Sequence, residues 1–187
     1  TCFFGDGAVD QGALHETFNI AQLWKLPAIF VVENNGYSMG TAARRHTVAD
    51  IVDRADGYGM KSAVINGMDV FSVYEKMKEI ADDVRKNSEP WFVEIRTYRY
   101  RGHSMSDPQK YRTKEELEEY QKNDPIERLK TYILENDIAK EAALEKIEEK
   151  VEQEVLDAVE FADNSDFPKD EELYEDMFVE DDPYFHT

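Results

Sequence analysis

Cysteine is all but absent: Cys2 is the single one in 187 residues. No internal disulfide can form, and a reducing compartment is the expected setting. Long apolar runs are missing as well. The longest, such as Ala28-Ile29-Phe30-Val31-Val32, fall far short of the roughly 20 residues of a membrane helix. No charged segment followed by an apolar one opens the chain, so no secretory leader is visible. The chain opens on Thr1 rather than Met, and Thr1-Cys2-Phe3-Phe4 already reads as a β-strand. A piece of a longer chain is therefore expected, and the missing leader carries little weight. No G-x-x-x-x-G-K-[ST] loop occurs, which removes the nucleotide-binding P-loop class. Internal repeats and low-complexity tracts are absent too.

Positive charge is scarce in one half only. Residues 1–112 hold 15 acidic and 14 basic side chains, whereas residues 113–187 hold 26 and 8. Net charges of −1 and −18 suggest two regions with different tasks. The expected division is a 1–112 α/β region and a 113–187 acidic helical region with a tail. So acidic a surface repels phosphate backbones, so no nucleic-acid partner is expected, and no membrane partner either. The plain reading of the acidic part is a solvated helical surface.

Strands and helices alternate through residues 1–112. Residues 1–4 read as a short buried strand. A helix from Asp10 to Leu26 carries Leu14, Phe18, Ala21 and Leu23, and Pro27 stops it. Residues 28–34 form a fully apolar strand of the parallel-sheet kind. Thr47 or Asp50 starts a short helix ended by Gly57 and Gly59. Strands follow at 60–65 and 90–100, separated by an amphipathic helix that Asp69 caps, with Val70, Val73, Met77, Ile80 and Val84 on one face. This alternation predicts an α/β fold, a parallel sheet with flanking helices. Residues 101–112 read as a loop. Thr113 caps a helix with Glu116 at the capping-box position, Pro125 opens another, and a long helix fills 140–163. The tail is acidic and aromatic, an extended arm docked by Tyr174, Phe178 and Tyr184.

Chemistry concentrates at two strand ends. Gly5-Asp6-Gly7 follows the first strand and Asn34-Asn35-Gly36-Tyr37 the next. In open parallel sheets ligands bind at the carboxyl ends of strands, so both motifs belong at one rim. An Asp carboxylate and an Asn amide oxygen are hard donors suited to Mg²⁺, which takes a few protein oxygens and completes its octahedron with phosphate and water. Gly7 allows close backbone approach, and the following helix aims its N-terminus at the same place. Either motif alone is ordinarily a turn. The spacing argues otherwise: residues 8–33 leave room for one helix and one strand. The pair reads as a metal–diphosphate clamp.

GDG followed at this distance by NN resembles the fingerprint of thiamine-diphosphate enzymes. The stretches FFGDGAVDQGALHETFNIAQLWKLPAIFVVENNGYSMGT and YRYRGHSMSDPQKYRTKEELEEY resemble the α subunits of the pyruvate dehydrogenase component of 2-oxo acid dehydrogenase complexes. The likeness covers essentially the whole chain, as the C-terminal half of such a subunit. It implies a partial thiamine-diphosphate-binding fold, with thiamine diphosphate and Mg²⁺ as cofactors. It further implies that Asp6 and Asn35 bind the metal by side chain and Tyr37 by its carbonyl. Gly5, Gly7 and Ala8 then line the diphosphate, and His103 stands in an active-site loop near the reacting centre. An exposed loop histidine is the competing reading for His103. Of Arg99 and Arg101, one is expected to support that loop and the other to be solvated. Ser104 matches a position phosphorylated by a regulatory kinase in some organisms. A second loop serine has no clear match, and Ala42 stands at a third such position.

The implied reaction is decarboxylation of pyruvate and passage of the acetyl unit to a lipoyl group. The implied partners are a β subunit, the N-terminal half of the α subunit and a lipoyl acyltransferase, in an assembly of two α and two β chains. The expected location is the cytoplasm of a bacterium, ahead of a mitochondrial matrix. Alternatives are an acetoin dehydrogenase α subunit, a branched-chain relative, which the GHSMSDP loop disfavours, and a non-catalytic module that keeps the fold.

Overall fold

A computed structural model describes residues 1–175. The expected aromatic arm is mostly beyond them: Phe178 and Tyr184 lie outside the described residues, as does the side chain of Tyr174. The chain forms two compact units, Thr1–Glu135 and Asn136–Thr187.

The first unit is an α/β layer structure. Its sheet has four parallel strands in the order β1-β2-β6-β5, where β1 is Cys2–Gly5, β2 Ile29–Asn34, β5 Lys61–Asn66 and β6 Trp91–Arg96. A small antiparallel pair, β3 (Tyr37–Ser38) and β4 (Thr41–Ala42), stands apart from it. Helices α1 (Gly12–Leu23) and α2 (Val70–Asn87) are the two long crossovers. The alternation of side chains along β2 and β6 sends residues to both faces. Phe30, Val32 and Phe92 pack with Leu14, Phe18 and Ala21 of α1. Ile29, Val31 and Val93 pack with Ile80 and Val84 of α2. Both faces are thus covered, which is why Ile29 to Val32 read as an unbroken apolar run. Asp69 caps α2 as expected, accepting from the amides of Phe71 and Ser72.

Three local expectations need correction. The first strand is not buried: among the described residues β1 pairs with β2 alone, and Phe3 is 60% exposed. The helix expected from Asp10 starts at Gly12, because Asp6–Asp10 form a 3-10 turn first. The helix after Asp50 is also a 3-10 helix, Ile51–Tyr58, closed by Gly59 at φ +61°.

Two short helices complete this unit, α3 (Lys114–Gln121) and α4 (Pro125–Glu135). Thr113 Oγ1 caps α3 through the Glu116 amide at 3.1 Å. The side chain of Glu116 turns elsewhere. It accepts from Tyr37 Oη at 2.5 Å and Tyr98 Oη at 2.8 Å, which ties α3 to the ends of the sheet. In the second unit, α5 spans Glu141–Asn164, and its apolar stripe of Ile147, Val151 and Val155 is exposed. Among the described residues no helix is long and apolar enough to cross a membrane.

Candidate functional site

The β1–β2 register sets Gly5 opposite Glu33. The next residue of each strand is therefore Asp6 on one side and Asn34 on the other, at the carboxyl rim. The structure brings the two motifs together there. A side chain at Gly7 would run into Ser38 Oγ and come within 2.8 Å of Ser38 Cβ. The backbone after β1 thus lies flat against β3, an approach that only glycine permits.

The two asparagines have different roles. Asn34 Nδ2 donates to Glu94 Oε1 at 2.8 Å, and Asn34 Oδ1 accepts the Gly36 amide at 3.0 Å. Asn34 is thereby spent on structure. Asn35 Oδ1 accepts the Tyr37 amide at 3.2 Å, closing a turn in which Gly36 takes φ +84°. An amide oxygen has two lone pairs, so Asn35 keeps one for a further partner. Tyr37 is buried with its hydroxyl on Glu116. Burial first, and then that bond, push the phenol well above its ordinary range. Its side chain is structural, which leaves its carbonyl as the group the rim can use.

Asp6 is the unusual residue. It is 1% exposed, and among the described residues its Oδ2 has no hydrogen-bond partner. A buried carboxylate oxygen left bare is costly unless something positive meets it. Across from it stands His46, whose Nε2 is 3.4 Å from Asp6 Oδ2 yet also lacks a hydrogen-bond partner among the described residues. His46 Nδ1 is 2.6 Å from Asp10 Oδ2. Arg54 Nη2 bonds Asp10 Oδ1 at 2.5 Å and Thr47 Oγ1 at 2.9 Å, and its Nη1 bonds the Val9 carbonyl. Burial alone would raise the Asp10 pKa. The hydrogen bonds from Arg54 and His46 outweigh it and hold the carboxyl below its ordinary value. Among the described residues no group of three His, Cys, Asp or Glu side chains offers a metal cage. The donors here are of another kind: one bare carboxylate oxygen, one amide oxygen and one backbone carbonyl. That set suits a hard cation that brings phosphate oxygens and water with it.

His103 lies in the 101–112 loop and is exposed, its amide donating to Asp107 Oδ2 at 2.8 Å. Asp107 also accepts from the Gln109 amide at 2.9 Å and Tyr111 Oη at 2.7 Å. These bonds, the Gln109 amide first, lower its pKa. Ser104 is exposed, with its Oγ 3.2 Å from Ser106 Oγ. Arg99 is the supporting arginine. It donates to the Met39 carbonyl at 2.5 Å and to Tyr111 Oη at 3.1 Å, so the loop is tied to the β3–β4 turn. Arg101 is exposed. A hollow of about 300 Å³ nearby is lined by Asn34, Tyr37, Arg44, Arg96, Tyr98 and Glu116 among others. Asp6, Asn35 and His103 do not line it.

Sequence reasoning missed His46, Asp10, Arg54 and Glu94. His46 and Arg54 sit in an aperiodic stretch that carries no pattern. Asp10, four residues after Asp6, was visible only as an acidic residue at a helix start.

The family model described as Dehydrogenase E1 component matches residues 1–171. The chain is 50% identical over 178 residues to the pyruvate dehydrogenase E1 component subunit alpha of Rickettsia bellii (strain RML369-C), covering 95% of this chain and 55% of that one. It is 44% identical to the subunit of the same name from Zymomonas mobilis, covering 95% and 50%. It is also 44% identical to the chloroplastic subunit alpha-3 of Oryza sativa, covering 94% and 42%. The chain spans about half the length of the curated relatives it matches.

Proposed function

The chain belongs to the dehydrogenase E1 component family, and on that premise we propose that it carries the metal and diphosphate side of a thiamine-diphosphate-dependent pyruvate dehydrogenase. The observation that carries this reading is the bare, buried Oδ2 of Asp6 at the sheet rim, where the strand that leads into Asn34 and Asn35 also ends. Asp6 Oδ2, Asn35 Oδ1 and the Tyr37 carbonyl would hold Mg²⁺. Gly5, Gly7 and Ala8 would line the diphosphate. When bound, thiamine diphosphate supplies the nucleophilic carbon and the electron sink for loss of carbon dioxide from pyruvate, and the acetyl unit then passes to a lipoyl group.

The residues of this chain bind and orient. Glu94 fixes Asn34, which sets the turn that presents Asn35. Ser38 and Gly7 keep the two strand ends in close contact. Arg99 and Asp107 hold the loop that carries His103, whose ring would donate a hydrogen bond or move a proton beside the bound diphosphate. A phosphate on Ser104 would add about −1.5 to −2 charge beside His103 and Asp107, repelling that carboxylate and loosening the loop. We further propose that a β subunit and the N-terminal part of the α subunit complete the site, and that a lipoyl acyltransferase accepts the product. The exposed β1 edge supports a further strand partner.

The test is calorimetric titration of thiamine diphosphate and Mg²⁺ into the complete α/β assembly carrying Asp6→Ala or Asn35→Ala. Each variant is expected to lose metal-dependent cofactor binding. Unchanged affinity in the Asp6 variant refutes the clamp.

A further inference from the structure

Two buried polar atoms face each other at the rim, and neither satisfies the other. Asp6 Oδ2 and His46 Nε2 are 3.4 Å apart without forming a hydrogen bond, and each lacks a partner among the described residues. The imidazole is held from behind. Asp10 Oδ2 takes Nδ1 at 2.6 Å, and Arg54 fixes Asp10 from its other oxygen. An ionised carboxylate only accepts, so Nδ1 carries the hydrogen, and Nε2 is the nitrogen left to present a lone pair to a cation. A carboxylate behind a histidine whose other nitrogen points at a cation position is the arrangement that orients metal-binding histidines.

The spacing agrees. Two donors each about 2.1 Å from one ion lie about 3.4 Å apart at a tetrahedral angle and about 3.0 Å apart at a right angle. Both separations fall within a small motion of the His46 ring. Imidazole nitrogen suits borderline divalent ions and is a poor ligand for Mg²⁺.

We propose that His46 is a further ligand of the cation site through Nε2, positioned by Asp10, and that it shifts the site's preference from Mg²⁺ toward Mn²⁺ or Co²⁺. The inference rests on Asp6 being a metal ligand, as proposed above. His46 then completes the site from the β4-proximal loop, and the same cation joins three segments of the chain: the turn after β1, the turn after β2 and the loop holding His46.

The test uses the complete α/β assembly with thiamine diphosphate, and Mn²⁺ as the probe. Electron spin-echo modulation of bound Mn²⁺ is expected to show the nitrogen coupling of a directly bound imidazole. His46→Asn retains a donor toward Asp10 but has no Nε2. It is expected to lose that coupling and to weaken Mn²⁺ binding about 10- to 100-fold, with Mg²⁺ binding changed less than about threefold. Asp6→Ala is the control for the underlying reading. If it leaves both metals bound, the clamp itself fails. If it abolishes binding while wild-type Mn²⁺ shows phosphorus coupling without nitrogen, or His46→Asn leaves the Mn²⁺-to-Mg²⁺ preference unchanged, the clamp stands and the assignment of His46 is overturned.

Discussion

Replacing Glu94 tests whether the candidate site depends on a carboxylate hidden beneath it. Glu94 is 1% exposed and accepts from Asn34 Nδ2 at 2.8 Å and Arg96 Nε at 2.9 Å. A charge-assisted bond of the Asn34 kind is worth about 1.5–3 kcal/mol. The Arg96 side chain is 50% exposed, so screening holds its contribution to about 0–1 kcal/mol. Glu94→Leu removes both bonds and strands the Asn34 amide. It should cost about 2–4 kcal/mol in urea unfolding of the assembled enzyme. Glu94→Gln keeps an acceptor for Asn34 and should cost about 1 kcal/mol. The local effect is sharper. Asn34 Oδ1 holds the Gly36 amide, so releasing Asn34 by about 1.4 kcal/mol should speed hydrogen exchange in the 34–37 segment about tenfold. The Leu variant should also bind Mg²⁺ and thiamine diphosphate more weakly, because the turn presenting Asn35 loosens. Equal effects of Leu and Gln, with unchanged exchange at 34–37, would refute the reasoning.

Other substitutions separate packing from site geometry. Gly7→Ala should weaken cofactor binding through collision with Ser38, and Ser38→Gly in the same chain should restore part of it; calorimetry on the pair decides. Phe18 is fully buried, with ring centroids 5.3 Å from Phe30 and 4.8 Å from Phe92, so Phe18→Ala should cost about 3–5 kcal/mol in equilibrium unfolding. Asp107→Asn should speed hydrogen exchange across 101–112, since three donors converge on that carboxylate. The folded state lowers the Asp107 pKa, so its support of the loop is full above the ordinary carboxylate value of about 3.9. That support fades as pH falls through the lowered folded value. Loop protection measured against pH should therefore hold at neutral pH and fail only in acid.

What the sequence revealed and what it hid follow from how each feature is encoded. The unbroken apolar run Ile29–Val32 announces a strand covered on both faces, and the structure places it between β1 and β6. Asp69 announces a helix start because an N-cap is a local interaction. The strand order could not be read, since β6 enters between β2 and β5 through contacts some sixty and thirty residues apart, and apolar strands of similar length are interchangeable as patterns. Phe3 misled for the same reason: a strand's apolarity reports what it is built to be covered by, not what covers it among the residues at hand. The rim shows the limit most clearly. The motifs GDG and NN locate the ends of two strands. They cannot say that Asn34 is consumed by Glu94 while Asn35 keeps a lone pair, because that difference is made by a residue sixty positions away. Nor does any periodicity mark His46, which reaches Asp6 across forty residues only because Arg54 and Asp10 pin the loop that carries it. Local rules thus point to where a candidate ligand site stands, while the long-range polar contacts determine which of its atoms remain free.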